Sequence, residues 1–110
     1  MTQNNLTPNP GEIWQLKTPD PNWVNGVVLA ITNNGASFVA AQIVCTQLPD
    51  NYTGDNIEIH DSFATNVPVP FVVKLDNLKT LTTTHFEFKR GCLNDADWAN
   101  VSNAYLNLTK

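Results

Sequence analysis

Positive charge is scarce in this sequence. The 110 residues contain 6 lysines and arginines against 10 aspartates and glutamates, which gives a net charge of −4 at pH 7. Residues 18–73 contain neither lysine nor arginine. Nucleic-acid binders gain most of their affinity when lysine and arginine displace the counterions of phosphates. The charge balance therefore argues against a general nucleic-acid binder.

Cysteines and long apolar runs are also few. The two cysteines, Cys45 and Cys92, cannot build a disulfide scaffold, and we expect both to be reduced. A bridge or a reactive thiol is the alternative. The longest apolar run, residues 26–32, is far shorter than the ~20 residues that span a bilayer. The first residues lack a basic and apolar leader, so we expect a cytoplasmic protein with no membrane partner.

The length and composition indicate one folded domain. A chain of 110 residues rarely divides into two cores, and its 42% hydrophobic and 15% charged residues are typical of a globular protein. Residues 1–10 are polar and contain two prolines, so we expect a loose arm. Residues 11–110 then form the single domain.

The apolar pattern predicts a mainly antiparallel β-structure. Short apolar runs, bounded by turn residues, predict strands at 12–16, 27–32, 36–45, 57–60 and 71–75, with two short pieces within 78–88. The Asn-Asn-Gly sequence at 33–35 supplies the positive φ angles of a tight hairpin turn.

The C-terminal residues predict one amphipathic helix. Apolar side chains recur at spacings of three and four residues, at Trp98, Val101, Tyr105 and Leu108. Asn94 is a favourable N-cap, and Leu93 before it is placed to pack on Trp98 as a hydrophobic staple. The fold class is therefore mainly β with a C-terminal helix, an α+β arrangement.

Common catalytic motifs are absent from the sequence. It has no glycine-rich phosphate loop, no Cys-x-x-Cys and no His-Glu-x-x-His. His60 and His85 are far apart without a third ligand, which predicts no metal site. Four acidic residues lie in or next to the longest loop: Asp50, Asp55, Glu58 and Asp61. They are interpreted as a solvated surface, with a weak cation site or a binding patch for a basic partner as the alternatives.

Several short strings, taken in order, resemble the MazF/PemK family of toxins. "GEIW" opens the first strand, "VVLAITN" follows a loop, and "VCT" ends the next strand. "LDNLKTL" is similar to the family's Asp-x-φ-x-[Ser/Thr]-φ strand, where φ is apolar, and "GCLNDADWANVSNAYLNL" is similar to its closing helix. These matches touch about half of the chain and run in the family's order.

The resemblance carries expectations about fold and activity. It implies a compact SH3-like barrel of the CcdB/PemK type, with about six or seven antiparallel strands and a C-terminal helix. It also implies a homodimer that cleaves single-stranded RNA without a metal or other cofactor. An antitoxin peptide, laid across the dimer groove, inhibits such toxins.

The resemblance also assigns candidate site residues. Thr46 matches the family's catalytic threonine, whereas the catalytic arginine has no counterpart within residues 23–26. Lys17, at the other end of the same loop, or His60 are the candidate replacements, and solvated surface is the alternative for both. The binding groove is expected to include Trp23, Asn25, Gln47 and Tyr52.

The residues and the resemblance together leave three candidate functions. The first is a toxin-family protein whose ribonuclease activity is weak or lost, and which binds an antitoxin-like peptide or another protein. The second is a metal-independent endoribonuclease that binds single-stranded RNA and uses Thr46 with Lys17 or His60. The third is a CcdB-like protein that binds gyrase. It ranks last because the chain ends in "LNLTK" rather than the Trp-Gly-Ile tail usual in that family.

Overall fold

The computed structural model describes residues 7–17, 26–61 and 64–108. Within them the chain forms six strands and one α-helix: β1 (Glu12–Leu16), β2 (Val27–Asn33), β3 (Phe38–Val44), β4 (Ile57–Ile59), β5 (Phe71–Leu81), β6 (Phe86–Cys92) and α1 (Asp95–Leu108). A short 3-10 turn, Thr83–His85, joins β5 to β6. The predicted class, mainly β with a C-terminal helix, is confirmed.

The six strands form one antiparallel sheet in the order β4-β5-β3-β2-β1-β6. β2 lies in the interior of this order, which explains why its sequence is apolar without alternation. Val27, Leu29 and Ile31 pack in the cluster that also receives the helix. Val28 packs in a second cluster with Phe38 and other side chains.

β5 departs from the sequence prediction. Residues 71–75 were expected to form a strand of their own, followed by two short pieces, but β5 continues for 11 residues to Leu81. The register with β3 jumps within it, because Ala41 pairs with Leu78 and Gln42 pairs with Lys74. The residues between Lys74 and Leu78 therefore form a bulge, which bends the strand without ending it.

Polar side chains from distant parts of the chain hold this bulge. Asn56 donates to the Asp76 carboxylate at 3.1 Å and accepts the Asp76 backbone N–H at 3.2 Å. Asn77 donates to Gln42, a buried residue of β3, at 2.7 Å. The bulge is therefore specified by non-local partners that the strand's own sequence does not reveal.

The helix begins as predicted. The Asn94 side chain accepts the Asp97 backbone N–H at 2.7 Å, which is the expected N-cap bond. Leu93 and Trp98 both pack with the helix-side cluster, in agreement with the staple. The predicted apolar stripe is wrong at its last position, because Leu108 is exposed and the partly buried Ala104 packs on the core in addition to Tyr105.

The chain before β1 is described from residue 7 onward. Residues 1–6 of the predicted arm lie outside the described residues, whereas the Pro8 carbonyl accepts a bond from Asn33 at 3.0 Å. Lys89 and Arg90 lie within β6, on the strand that precedes the helix. In the described part of the chain, no helix is long and apolar enough to cross a membrane.

Candidate functional site

The pairing registers place three predicted site residues at one end of the sheet. Thr46 follows β3, whose last residue pairs with Val72 near the start of β5. His60 follows β4, whose last residue pairs with Phe71. Lys17 follows β1, next to the Gly26 carbonyl, which accepts the Leu16 N–H at 2.7 Å. All three residues are exposed.

The distances across this end follow from the strand order. β2 lies between β1 and β3, and neighbouring strands are about 4.8 Å apart, so the backbones at Lys17 and Cys45 are roughly 10 Å apart. β5 lies likewise between Thr46 and His60. The fold thus brings Lys17, Thr46 and His60 to one end, with an intervening strand on each side of Thr46.

Glu58 connects two parts of this end. One oxygen of its carboxylate accepts the Leu48 backbone N–H at 2.8 Å. The other oxygen lies 2.9 Å from Nε2 of His60. The Glu58 side chain is 20% exposed and that of His60 is 71% exposed, so a largely covered carboxylate holds an accessible imidazole.

Sequence reasoning missed the role of Glu58, although a signal was present. Glu58 was assigned only to the acidic group around the longest loop. In a strand, residues two apart point to the same face, so "IEIH" already predicts that Glu58 and His60 meet. Asp61 instead accepts a bond from Asn94 at 2.6 Å.

Tyr52 folds back onto its own loop. It is half-buried, and its hydroxyl oxygen accepts the Asn56 backbone N–H at 2.9 Å. A Cβ atom added at Gly54 would collide with the Tyr52 hydroxyl, which shows how closely the loop wraps the ring. Gln47 is exposed on the same loop. Trp23 and Asn25 lie outside the described residues, and the groove assignment of all four stays a prediction.

The other basic side chains with identified partners are engaged in pairs away from Thr46. The pairs are Lys74 with Asp76 at 3.6 Å, Lys89 with Glu12 at 3.1 Å, and Arg90 with Gln15 at 3.0 Å. By strand register, Lys17 is the basic residue nearest Thr46 among the residues that the structure describes. Within residues 7–17, 26–61 and 64–108, no hydrogen bond or ion pair joins Thr46 to a basic side chain.

The acidic and sulfur-containing side chains do not assemble a metal centre in the described part of the chain, where no three His, Cys, Asp or Glu residues converge. Cys45 and Cys92 are both free thiols. Cys92 pairs with Glu12, the first residue of β1. By strand register, Cys45 lies at the height of Lys17, the first residue after β1, so the two cysteines are separated by the length of β1. A strand of this length spans about 17 Å, far beyond disulfide reach.

Comparison with solved structures shows that the chain has a MazF/PemK-like fold. No family model matches the chain, and no curated protein matches it in sequence. The likeness is therefore one of architecture, with the helix after the last strand as in the sequence resemblance.

Two solved structures illustrate the likeness. An endoribonuclease in complex with its cognate antitoxin, from a mycobacterial species, superposes with a TM-score of 0.70 at 19% identity, over 93% of this chain and 94% of that chain. The Mycobacterium tuberculosis toxin MazF-mt6 superposes with a TM-score of 0.64 at 20% identity, over 92% of this chain and 96% of that chain. At these identities the similarity establishes the fold, and activity requires separate evidence.

Proposed function

We propose that the protein is a MazF/PemK-like toxin-family member with weak or absent ribonuclease activity, which acts by binding a peptide or another protein. One observation carries this proposal. No arginine occurs in residues 23–26, and the nearest described cation, Lys17, is separated from the Thr46 segment by a strand. Among the residues that the structure describes, no preorganised positive charge therefore pairs with the threonine.

The chemistry of RNA cleavage explains why this matters. Cleavage without a metal removes the proton of the 2′-hydroxyl while negative charge builds up on the phosphate. A positioned acid or base contributes about 10²–10⁴-fold, and a donor aimed at the developing charge contributes about 10²–10³-fold. The Thr46 hydroxyl can donate a hydrogen bond but carries no charge near neutral pH. Loss of the arginine is thus expected to lower the rate by several orders of magnitude.

The electrostatics favour a peptide over RNA. The net charge of −4 repels a polyanion, and the identified partners of Lys74 and Lys89 are carboxylates. Asp50 and Asp55 are exposed on the loop that follows Thr46. A basic segment of an antitoxin-like peptide or other protein complements this surface. A homodimer in the cytoplasm completes the proposal, and the homodimer rests on the family resemblance.

A binding titration tests the proposal. Fluorescence anisotropy compares a labelled lysine-rich peptide, a glutamate-rich peptide of equal length and a short single-stranded RNA at physiological salt. We expect the lysine-rich peptide to bind most tightly. Substitution of Asp50 or Asp55 by lysine, singly or together, should weaken the binding of that peptide. Glu87→Lys, at an exposed position of β6, changes the charge by as much as either single substitution and is the control for each. RNA that binds more tightly than both peptides would contradict the proposal.

Active endoribonuclease is the second candidate function, and one observation favours it. His60 lies 2.9 Å from the Glu58 carboxylate, which gives the site a histidine with an orienting partner. Such a pair can transfer protons in metal-free cleavage. If this candidate is right, His60→Gln and Thr46→Ala abolish cleavage of a long single-stranded RNA in EDTA, and Lys17→Ala tests whether Lys17 supplies the cation. The gyrase-binding alternative stays a prediction.

A further inference from the structure

We propose that Glu58 is the positioning residue of this site. Its carboxylate determines which ring nitrogen of His60 carries the proton, and it ties the segment that contains Thr46 to β4. The catalytic meaning of this role rests on the ribonuclease candidate above, in which His60 is the acid or base.

The strand geometry directs Glu58 toward both partners. Ile57 and Ile59 pack in the helix-side core cluster, so the intervening Glu58 faces the other side of the sheet together with His60. Glu58 pairs with Val72 of β5, a buried residue that fixes the backbone beneath it. The carboxylate then reaches Leu48 on one side and His60 on the other.

The contact with His60 specifies a tautomer. An ionised carboxylate can only accept hydrogen bonds, so the His60 Nε2, at 2.9 Å, carries the hydrogen. In the neutral ring the Nδ1 atom is then the nitrogen with a lone pair, on the other side of the imidazole. Glu58 therefore presents Nδ1 of His60 as the proton-accepting atom.

The second contact couples the threonine segment to the same group. Leu48 is two residues after Thr46, and its backbone N–H donates to Glu58 at 2.8 Å. One carboxylate thus fixes both the imidazole and the start of the loop. Neighbouring charged groups are engaged elsewhere, since Asn94 binds Asp61 and Lys74 lies beside Asp76. Asp50 and Asp55 are exposed to solvent on the loop.

Nitrogen NMR of the histidine rings tests the positioning role without requiring activity. We expect the neutral His60 ring of the wild type to carry its proton on Nε2. In Glu58→Gln the amide has one accepting oxygen, which can serve either Leu48 or His60. The ring therefore changes to the Nδ1–H tautomer, or the Leu48 amide resonance shifts as its bond is lost. Asp55→Asn removes a loop carboxylate and is expected to change neither signal.

Two NMR results would overturn the inference. One is a wild-type ring with its proton on Nδ1, which needs no variant and so holds even if Glu58→Gln does not fold. The other is a folded Glu58→Gln protein whose His60 tautomer and Leu48 resonance match those of the wild type.

A cleavage assay separates this role from the proposed functions. If the wild type cleaves single-stranded RNA in EDTA, we expect Glu58→Gln to lower kcat roughly 100-fold or more, with KM little changed, since the proton-transferring ring is misoriented. Unchanged kcat in that variant would refute a catalytic role for the positioning. If the wild type leaves RNA intact, the ribonuclease candidate is wrong, and the NMR result alone decides whether Glu58 holds His60.

Discussion

Replacement of Glu12 by alanine is expected to destabilise the fold more than its partly exposed position suggests. Glu12 opens β1, and one of its oxygens accepts both the Asn9 N–H at 2.9 Å and the Trp14 indole N–H at 3.0 Å. Its other oxygen lies 3.1 Å from the Lys89 ammonium of β6. The carboxylate therefore joins the segment before β1, the second core cluster and the edge strand.

The magnitude follows from the groups left behind. Trp14 is 5% exposed, so its indole N–H loses an acceptor that water cannot readily replace, at a cost of about 1–3 kcal/mol. The pair with Lys89, whose side chain is 48% exposed, adds at most about 1 kcal/mol. We expect Glu12→Ala to lower the free energy of unfolding by about 2–3 kcal/mol, and Glu12→Gln, which keeps one accepting oxygen, by about 1 kcal/mol.

The pH dependence provides a second readout. Burial raises the pKa of Glu12, but the hydrogen bonds from Asn9 and Trp14 and the Lys89 ammonium outweigh it and hold the pKa below its ordinary value of 4.5. The carboxylate's contribution is thus fully present above pH 4.5 and is lost as pH falls through the lower folded pKa. The stability difference between wild type and Glu12→Gln should shrink in acid.

Urea unfolding followed by circular dichroism, at neutral pH and near pH 3, measures both effects. Glu87→Ala, which removes an exposed glutamate of β6, is the control and should change the free energy of unfolding little. The reasoning is refuted if Glu12→Ala is no more destabilising than Glu87→Ala. A Glu12→Gln difference that grows as pH falls would show that the sign of the pKa shift is wrong.

Two further substitutions test the packing of the helix and of β6. Asn94→Ala removes the acceptor of the Asp97 N–H and should lower the free energy of unfolding by about 1 kcal/mol, and Asn103→Ala, on the exposed side of α1, is the control in the same thermal melt. Gly91→Ala places a Cβ against the Ala64 and Thr65 backbone carbonyls, which cannot retreat like a flexible side chain, so we expect a lower melting temperature or no folded protein. Gly35→Ala, where a Cβ would meet open space at a positive φ, should cost less, and equal losses would contradict the packing argument.

The sequence was most informative where structure depends on local signals. β1 was predicted with its observed bounds, and the helix start was predicted from Asn94 and the staple. The full length of β5 was missed because its bulge is held by Asn56, which lies on the other side of a long loop. Leu108 was misassigned because helical spacing alone does not reveal where the core beneath a helix ends.

The candidate site was predictable only in part. The order of short strings indicated that Thr46 follows a core strand, and strand pairing places Lys17 and His60 at the same end of the sheet. The Glu58 contact with Leu48 required the structure, because it depends on how the loop returns to β4. The Glu58 contact with His60 was available from strand alternation.

The proposed weak or absent ribonuclease activity depends on the absence of arginine from residues 23–26. The most direct measurement introduces arginine at Val24 and, separately, at Asn25, and compares each with wild type for cleavage of a long single-stranded RNA in EDTA. We predict that micromolar wild type leaves the RNA largely intact, and that at least one arginine variant cleaves it at least 100-fold faster, in a manner abolished by Thr46→Ala. Rapid, Thr46-dependent cleavage by the wild type, with no increase in rate from either arginine, would contradict the proposed loss of ribonuclease activity.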